Sequence, residues 1–398
     1  MYDVVVIGAG PAGSTASYYL AKEGLKVCII EKESFPRDKP CGGGFSTGLI
    51  DEFPYLQKRT DDFLKGIAKI GVLHSPNRRV VLQGKVDMAL TLRTDFDNVL
   101  FECALEQGAD SCTKTRAKHV KFHQNYSEVI LASGNSIKGT VVLGADGVTS
   151  LVAREAGLQR RWPKDNITAC RVAEVPATNE EILERYTEDL HYHFFANLGG
   201  LPGYGWIFPK RDTINIGLGI VGTHAQGLPK IFNSFVRFLK HEGLLMNNAD
   251  LSSAKGALIP TGGPVKKSFA ENCLLVGDAA GMVSPLTGGG IAFAMSAARI
   301  AARVLLSALE HDKLKENSLW RYEQMWQNNF GKDLKEQLIA QKIFTSPFTD
   351  LLFEIGKRDE QIQAMVSESM AESSDSELDI KKLIIRSLLV CLRGSLGR

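Results

Sequence analysis

Apolar and polar positions change their period repeatedly along this chain, and each change marks an element. The apolar run Tyr2 to Ile7 reads as a buried strand. A glycine turn, a helix and a second apolar strand ending at Glu31 follow, so residues 2–31 predict one βαβ start. An irregular loop rich in Pro and Gly runs from Ser34 to Gly44, and residues 70–93 alternate as short strands. Thr94 to Gly108 predicts a helix: Asp95 and Asp97 favour its start, and apolar residues recur at 96, 99, 100, 101, 104 and 105. Strands are expected around 117–123, 128–132 and 137–143. A second sheet is expected from 167–176, 190–197, 204–209 and 213–221, with Lys210-Arg211-Asp212 as the last hairpin turn. A helix lies within Thr223 to Glu242, a strand at 273–276, and a long small-residue helix from Ile291 to Leu309. From Lys313 onward the pattern is helical.

These elements predict an α/β fold with an α+β insert. A discontinuous Rossmann-like nucleotide domain takes 1–70, 91–165 and 255–310. An antiparallel-sheet domain from 71–90 and 166–254 is inserted into it, and a helical region covers 311–398. No internal repeat is visible, and the Ser- and acid-rich stretch from Ser367 to Glu377 reads as a solvated linker. Leu378 to Leu392 is apolar nearly all round, interrupted by Lys381, Lys382 and Arg386. Such a segment fits either a helix packed on protein or one lying at a membrane surface.

Composition adds little that is special. A chain of 398 residues with 44% hydrophobic and 23% charged residues suits a soluble protein of two or three domains. The net charge of +2, without a basic cluster interleaved with aromatics, gives no ground for a nucleic-acid partner. The seven cysteines form no CxxC pair, which predicts reduced thiols in a cytoplasmic protein and no zinc site. The chain opens directly on a strand, which predicts no leader, and no apolar run reaches the roughly 18 residues of a membrane span. His191 and His193 share a strand face without a metal-spaced partner, so no metal is assigned; His119 and His123 are candidates to lie near an adenine.

The chemistry concentrates in turns. Gly8-Ala9-Gly10-Pro11-Ala12-Gly13 follows a strand and opens a helix, the arrangement in which backbone approaches a pyrophosphate at a helix N-terminus. Glu31, at the end of the next strand, is placed for ribose hydroxyls and disfavours a 2′-phosphate, so FAD or NAD fits better than NADP. Arg93, at a strand-to-helix junction, either reaches the cofactor or pairs with Asp95 or Asp97. Gly144-Ala145-Asp146-Gly147 ends another strand, where an acid-and-glycine turn can touch both the cofactor and the insert. Gly277-Asp278 begins a third turn, followed by Gly288-Gly289-Gly290-Ile291 at the head of the long helix. That helix end suits the reduced edge of a flavin, and Asp278 suits ribityl hydroxyls.

Together these turns resemble the three fingerprints of the FAD-dependent hydroxylase-type oxidoreductases. The resemblance implies FAD, held by Gly8, Gly10, Ala12, Gly13, Glu31, Lys32, Arg93, Asp146, Gly277, Asp278, Gly289, Gly290 and Ile291, with Val120 offering backbone to the adenine. Two further features, Pro40-Cys41-Gly42-Gly43-Gly44 and Tyr204-x-Trp206-x-Phe208-Pro209 followed by Gly217-x-Gly219, resemble the geranylgeranyl reductase family. That resemblance covers about the first 310 residues and implies a reductase that saturates C=C bonds of a polyprenyl group, a prenyl lipid or a prenyl diphosphate. It places Cys41 and Gly42 beside the flavin, with Cys41 as catalytic candidate, and Tyr204, Trp206, Phe208, Pro209 and Gly217 at the substrate. Alternation puts Tyr204, Trp206 and Phe208 on one strand face, with the Tyr hydroxyl and the Trp N–H expected at the pocket mouth. No second nucleotide fold is visible, so the electron donor, NAD(P)H or a ferredoxin-like protein, is expected to bind transiently. Two other readings stand beside this one. The first is a flavin monooxygenase or halogenase, whose Trp-x-Trp-x-Ile-Pro segment differs here at Tyr204 and Phe208. The second is a flavoprotein electron carrier held peripherally at a membrane by its tail.

Overall fold

A computed structural model of the chain describes residues 1–310, 316–363 and Arg386. The chain opens with β1 (Tyr2–Ile7), α1 (Pro11–Lys22) and β2 (Val27–Ile30). Short elements follow, β3 (Gly44–Ser46), α2 (Gly48–Glu52) and α3 (Thr60–Phe63), and then the long strands β4 (Leu64–His74) and β5 (Val81–Thr91). Next come α4 (Arg93–Glu106), β6 (Asp110–Cys112), the meander β7 (Ala117–Phe122), β8 (Ser127–Leu131) and β9 (Ser136–Gly144), and α5 (Leu151–Glu155). The middle of the chain holds β10 (Thr168–Pro176), α6 (Asn179–Tyr186), β11 (Tyr192–Ala196), β12 (Gly203–Pro209), β13 (Thr213–Val221), α7 (Leu228–His241) and β14 (Lys255–Ile259). It closes with β15 (Phe269–Ala270), β16 (Cys273–Leu275), α8 (Ile291–Glu310), α9 (Glu316–Trp326), α10 (Lys332–Phe344) and α11 (Thr349–Gly356).

Two eight-stranded sheets result. The first runs β15-β16-β9-β1-β2-β6, with β7 and β8 attached through β9. Its centre is parallel, β1 pairing with both β2 and β9. Parallel strands are covered on both faces, which is why Val4, Val5 and Val6 form an unbroken apolar run and are fully buried.

The second sheet runs β14-β10-β13-β12-β11-β4-β5-β3. It reaches beyond the segments 71–90 and 166–254 expected for it, taking in β4 from Leu64, β3 and β14. The short strands expected over 70–93 are one long hairpin. Register shifts at Leu64/Gly66 and Ala68/Ile70 break the alternation by which its first strand would be recognised. Nor is the sheet wholly antiparallel: β11 pairs with β4 in parallel. Its two faces separate by alternation. Ile214, Ile216, Leu218 and Ile220 of β13 pack under Phe232, Phe235, Val236 and Leu239 of α7, while Trp206 and Phe208 of β12 enter a different apolar cluster on the opposite face. Fully burying one such aliphatic side chain stabilises by roughly 1.5–3 kcal/mol.

His191 falls just before β11, and His193 lies within it. His193 meets His74 of β4, with Nδ1 and Nε2 2.9 Å apart, and both rings stack on Phe195. Burial, with Arg78 adding, pushes the His74 pKa down to about 4; burial, with His74 and His191 adding, pushes that of His193 down to about 3. The unfolded chain therefore binds protons from pH 6.5 downward that the fold refuses. Stability is full above that pH and falls as pH drops toward 4 and 3, by about 2 kcal/mol per imidazole between pH 6.5 and 5. Urea unfolding across that window should show the fall in the wild type and a smaller one in a His74→Asn, His193→Asn variant; equal slopes would remove the assignment.

By length and hydropathy α8 qualifies as a membrane span, though Arg299 and Arg303 interrupt its apolar run, and 67% of its most apolar window is buried inside the protein. It is a core helix, packed on α1 and α9. Of the tail segment Leu378 to Leu392, only Arg386 lies among the described residues; its Nε donates to Asp359 Oδ1 at 2.7 Å.

Candidate flavin site and aromatic cleft

The three glycine turns interlock. Gly8, at φ +100, packs where a Cβ would stand 2.4 Å from the Ala145 carbonyl oxygen; at Gly13 a Cβ would stand 1.8 Å from the Gly8 carbonyl oxygen. Gly277 fits between Ala12 and Ala294, and Gly290 against Asp278 and Val283. The first turn thus rests on the second, and the third rests on α1 and α8. At the head of α1, Gly10 carries no side-chain cap. The nearest atom to a Cβ placed there is Arg37 Nη2, at 3.6 Å. The N–H groups of the first turn are left without a side-chain cap, as a pyrophosphate at a helix N-terminus requires.

Around that turn stands an ion-pair cluster only partly legible in the sequence. Glu31, buried, accepts from Ala9 N at 2.9 Å and Glu33 N at 3.0 Å, which leaves lone pairs on both oxygens for ribose hydroxyls. Arg93 grips Asp97 through two bonds of 2.6 and 2.7 Å, and it lines the cleft described below. Burial works against its charge, but Asp97 and then Cys41 outweigh it and hold its pKa above the ordinary value. Asp97, read as a helix-start acid, is fully buried and also holds Arg37 at 3.0 Å. Arg37 was not anticipated; an arginine in an irregular loop carries no periodic signal.

Of the expected cofactor contacts, Asp146 is engaged within the protein. The Asp146 carboxylate turns into the start of α5, accepting from Ser150 Oγ at 2.6 Å, Leu151 N at 2.6 Å and Val152 N at 3.1 Å. A short helix needs its N–H groups satisfied, and Asp146 is the acid that satisfies them. The Val120 side chain is in the core of the first sheet, so only its backbone is available. Lys32 is exposed beside Glu31. His119 faces Glu155 at 3.5 Å and His123 stacks on Tyr126.

One open cleft, with about 920 Å³ of empty space, gathers much of the remainder. Pro11, Arg93, Asp278 and Gly288 to Ile291 form one side, Cys41 to Gly44 an end, and Phe194, Tyr204, Trp206 and Phe208 a wall. Lys39 Nζ lies 3.5 Å from Asp278 Oδ2. The wall is continuous: Tyr204 and Trp206 centroids are 5.7 Å apart, and Phe194 reaches Tyr204 at 5.3 Å and Phe208 at 5.6 Å. The polar ends of the wall are engaged rather than free at the mouth. The Tyr204 hydroxyl donates to the Thr287 carbonyl, and Trp206 Nε1 donates to Asn215 Oδ1 at 2.8 Å. Pro209 alternates away from the cleft and ends β12 opposite Ile214. Gly217 serves the wall from behind: a Cβ there would stand 2.1 Å from Trp206 Cζ2.

Asn215 ties wall to loop, and sequence reading missed it. Its Nδ2 donates to the Cys41 carbonyl at 3.0 Å and to Glu174 at 2.6 Å. Glu174 in turn accepts from the buried Lys210 at 2.8 Å and from Thr213 at 2.6 Å. A lone polar residue on the cleft face of an isoleucine-rich strand was the available signal.

A parallel nucleotide sheet, an uncapped glycine turn at α1 and an aromatic cleft over the α8 head define an FAD-dependent oxidoreductase. The FAD binding domain family matches residues 1–327. The chain is 34% identical over 391 residues to the digeranylgeranylglycerophospholipid reductase of Methanocaldococcus jannaschii, covering 97% of this chain and 94% of that protein. It is 32% identical to the enzyme of the same name from Methanococcus vannielii, with the same coverage of both. A geranylgeranyl bacteriochlorophyll reductase-like protein from Thermoplasma acidophilum superposes with a TM-score of 0.82 over 97% of this chain and 95% of that one, at 24% identity. The halogenase PltM with FAD gives 0.69 over 100% and 92%, at 17% identity, a likeness of fold alone. The chain belongs to the geranylgeranyl reductase family of FAD-dependent oxidoreductases.

Proposed function

We propose that this flavoprotein saturates C=C bonds in the prenyl chains of a membrane-lipid precursor, the activity named in its relatives from methanogens. The observation that carries the proposal is the unbroken aromatic wall facing the glycine head of α8 across one cleft. Bound, reduced FAD supplies two electrons and one hydrogen. The chain's residues supply the rest. Phe194, Tyr204, Trp206 and Phe208 give an isolated alkene an apolar surface, exclude water and hold the chain in one orientation. Arg93, locked by Asp97, fixes the Cys41 side of the cleft, and Asn215 fixes the Cys41 backbone. Cys41 is the proposed donor of the second hydrogen, as a proton to the carbon that does not receive the first. NAD(P)H or a ferredoxin-like protein is the reductant in this reading. The 378–392 segment brings the protein to the cytoplasmic face of the membrane that holds its substrate.

The test is anaerobic. Purified flavoprotein is reduced with dithionite and mixed with geranylgeranyl substrates, and flavin reoxidation and product mass are followed. A gain of two hydrogens per flavin is expected; no such gain on any prenyl substrate would sink the proposal. Cys41→Ala should retain FAD and slow the step on the order of 10²-fold, and wild-type turnover in that variant would remove Cys41 from the chemistry.

A further inference from the structure

A second cavity lies round the edge strand β14 from the aromatic cleft. It has about 1090 Å³ of open volume, and Arg154, Arg160, Arg161 and Lys164 line it with no carboxylate among its lining residues. All four cations are exposed. Among the described residues none of them makes an ion pair or a side-chain hydrogen bond.

Several of the chain's other surface cations sit against acids. Arg59 meets Asp62, Glu102 and Glu106; Lys69 meets Asp87; Lys255 meets Asp38; Arg299 meets Glu52. The acids nearest in sequence to the four are Glu155, which faces His119, and Asp165, and neither lines the cavity. Four like charges facing one concavity repel each other, and a multivalent anion relieves that repulsion. Guanidinium groups pair bidentately with phosphate oxygens in particular.

Position narrows the ligand further. Leu258, 43% exposed, lies on the rim of both cavities. Its neighbours Ala257 and Ile259 face the cleft, while Ala169, paired with Leu258, faces the basic cavity. An apolar residue on the boundary between a cationic pocket and an aromatic cleft matches a molecule with a charged head and an apolar chain. We propose that the four cations bind the phosphate of the prenyl substrate, whose chain passes Leu258 into the cleft. The proposal rests on the prenyl reductase reading above but is tested apart from it.

The test is equilibrium binding to the oxidised holoprotein at low salt, read from the flavin spectrum, with geranylgeranyl diphosphate, geranylgeraniol and inorganic pyrophosphate as probes. The diphosphate should bind at least about tenfold more tightly than the alcohol. The Arg160→Gln, Arg161→Gln variant should close most of that gap while leaving the alcohol and the bound FAD unchanged. Equal loss for both prenyl probes, or loss for neither, overturns the proposal. Pyrophosphate alone binding as tightly as the prenyl diphosphate would assign the pocket to a soluble phosphate. Slower flavin reduction by NADPH with unchanged prenyl affinities would assign it to the reductant; either result also overturns it. Absence of turnover with intact binding counts against the reductase reading and not against the pocket.

Discussion

Gly13→Ala is expected to yield a protein that no longer retains FAD. The added methyl would stand 1.8 Å from the Gly8 carbonyl oxygen and 3.2 Å from the Ala145 Cβ. The closer of these is a backbone atom, so no side chain can swing aside. The head of α1 must lift off β1, and the N–H groups facing the pyrophosphate move with it. Overpacking of this kind costs about 3 kcal/mol, taken from the helix that also packs on α8 and α4. Gly10→Ala is the control. Its methyl would meet only Arg37 Nη2, at 3.6 Å, an ordinary contact. That variant should fold with near wild-type Tm and lose FAD affinity by about tenfold, because the methyl occupies the phosphate cradle rather than the helix packing. Flavin absorbance after desalting and the Tm of each apoprotein separate the two. Retention of FAD by Gly13→Ala would mean that α1 does not carry the pyrophosphate.

The contrast between these glycines shows what the sequence made legible. Turns are local: Gly8 to Gly13, Gly144 to Gly147 and Gly277 to Gly290 could each be read because a strand runs into a glycine and a helix follows. Alternation is local too, so Tyr204, Trp206 and Phe208 were assigned to one face, and they form one wall. What stayed hidden depends on contacts between distant segments. Asp97 reads as an ordinary helix-start acid, yet it is buried and binds Arg93 and Arg37. Asp146 reads as a cofactor acid until the first turn of α5 is placed beside it. Asn215 joins β13 to a loop 174 residues away. The hairpin of β4 and β5 was misread because its bulges erase the alternation on which strand reading depends. The basic cavity escaped for the same reason: Arg154, Arg160, Arg161 and Lys164 look like scattered surface charge until the fold turns them toward one space.

Gly217→Ala is expected to cost catalysis while sparing FAD. Its methyl would stand 2.1 Å from Trp206 Cζ2 and 2.5 Å from Cε2. The indole cannot simply rotate away, because Nε1 is held by Asn215 at 2.8 Å. Either the ring or the bond yields, and Asn215 is the same residue that holds the Cys41 carbonyl at 3.0 Å. One methyl on the back of the wall therefore disturbs both the surface that orients the alkene and the loop that faces it. A displacement on the order of 1 Å at a reacting geometry costs about 10²-fold in rate, and that is the fall in kcat expected here, together with a raised KM. FAD should still be retained, since the glycine turns expected to hold its pyrophosphate lie on the first sheet. Adding Trp206→Phe should restore part of the lost stability, because the smaller ring leaves room for the methyl. It should not restore kcat, since phenylalanine has no N–H for Asn215. A double variant as active as the wild type would show that Trp206 only fills space; a single variant with wild-type kcat would show that the wall does not orient the substrate.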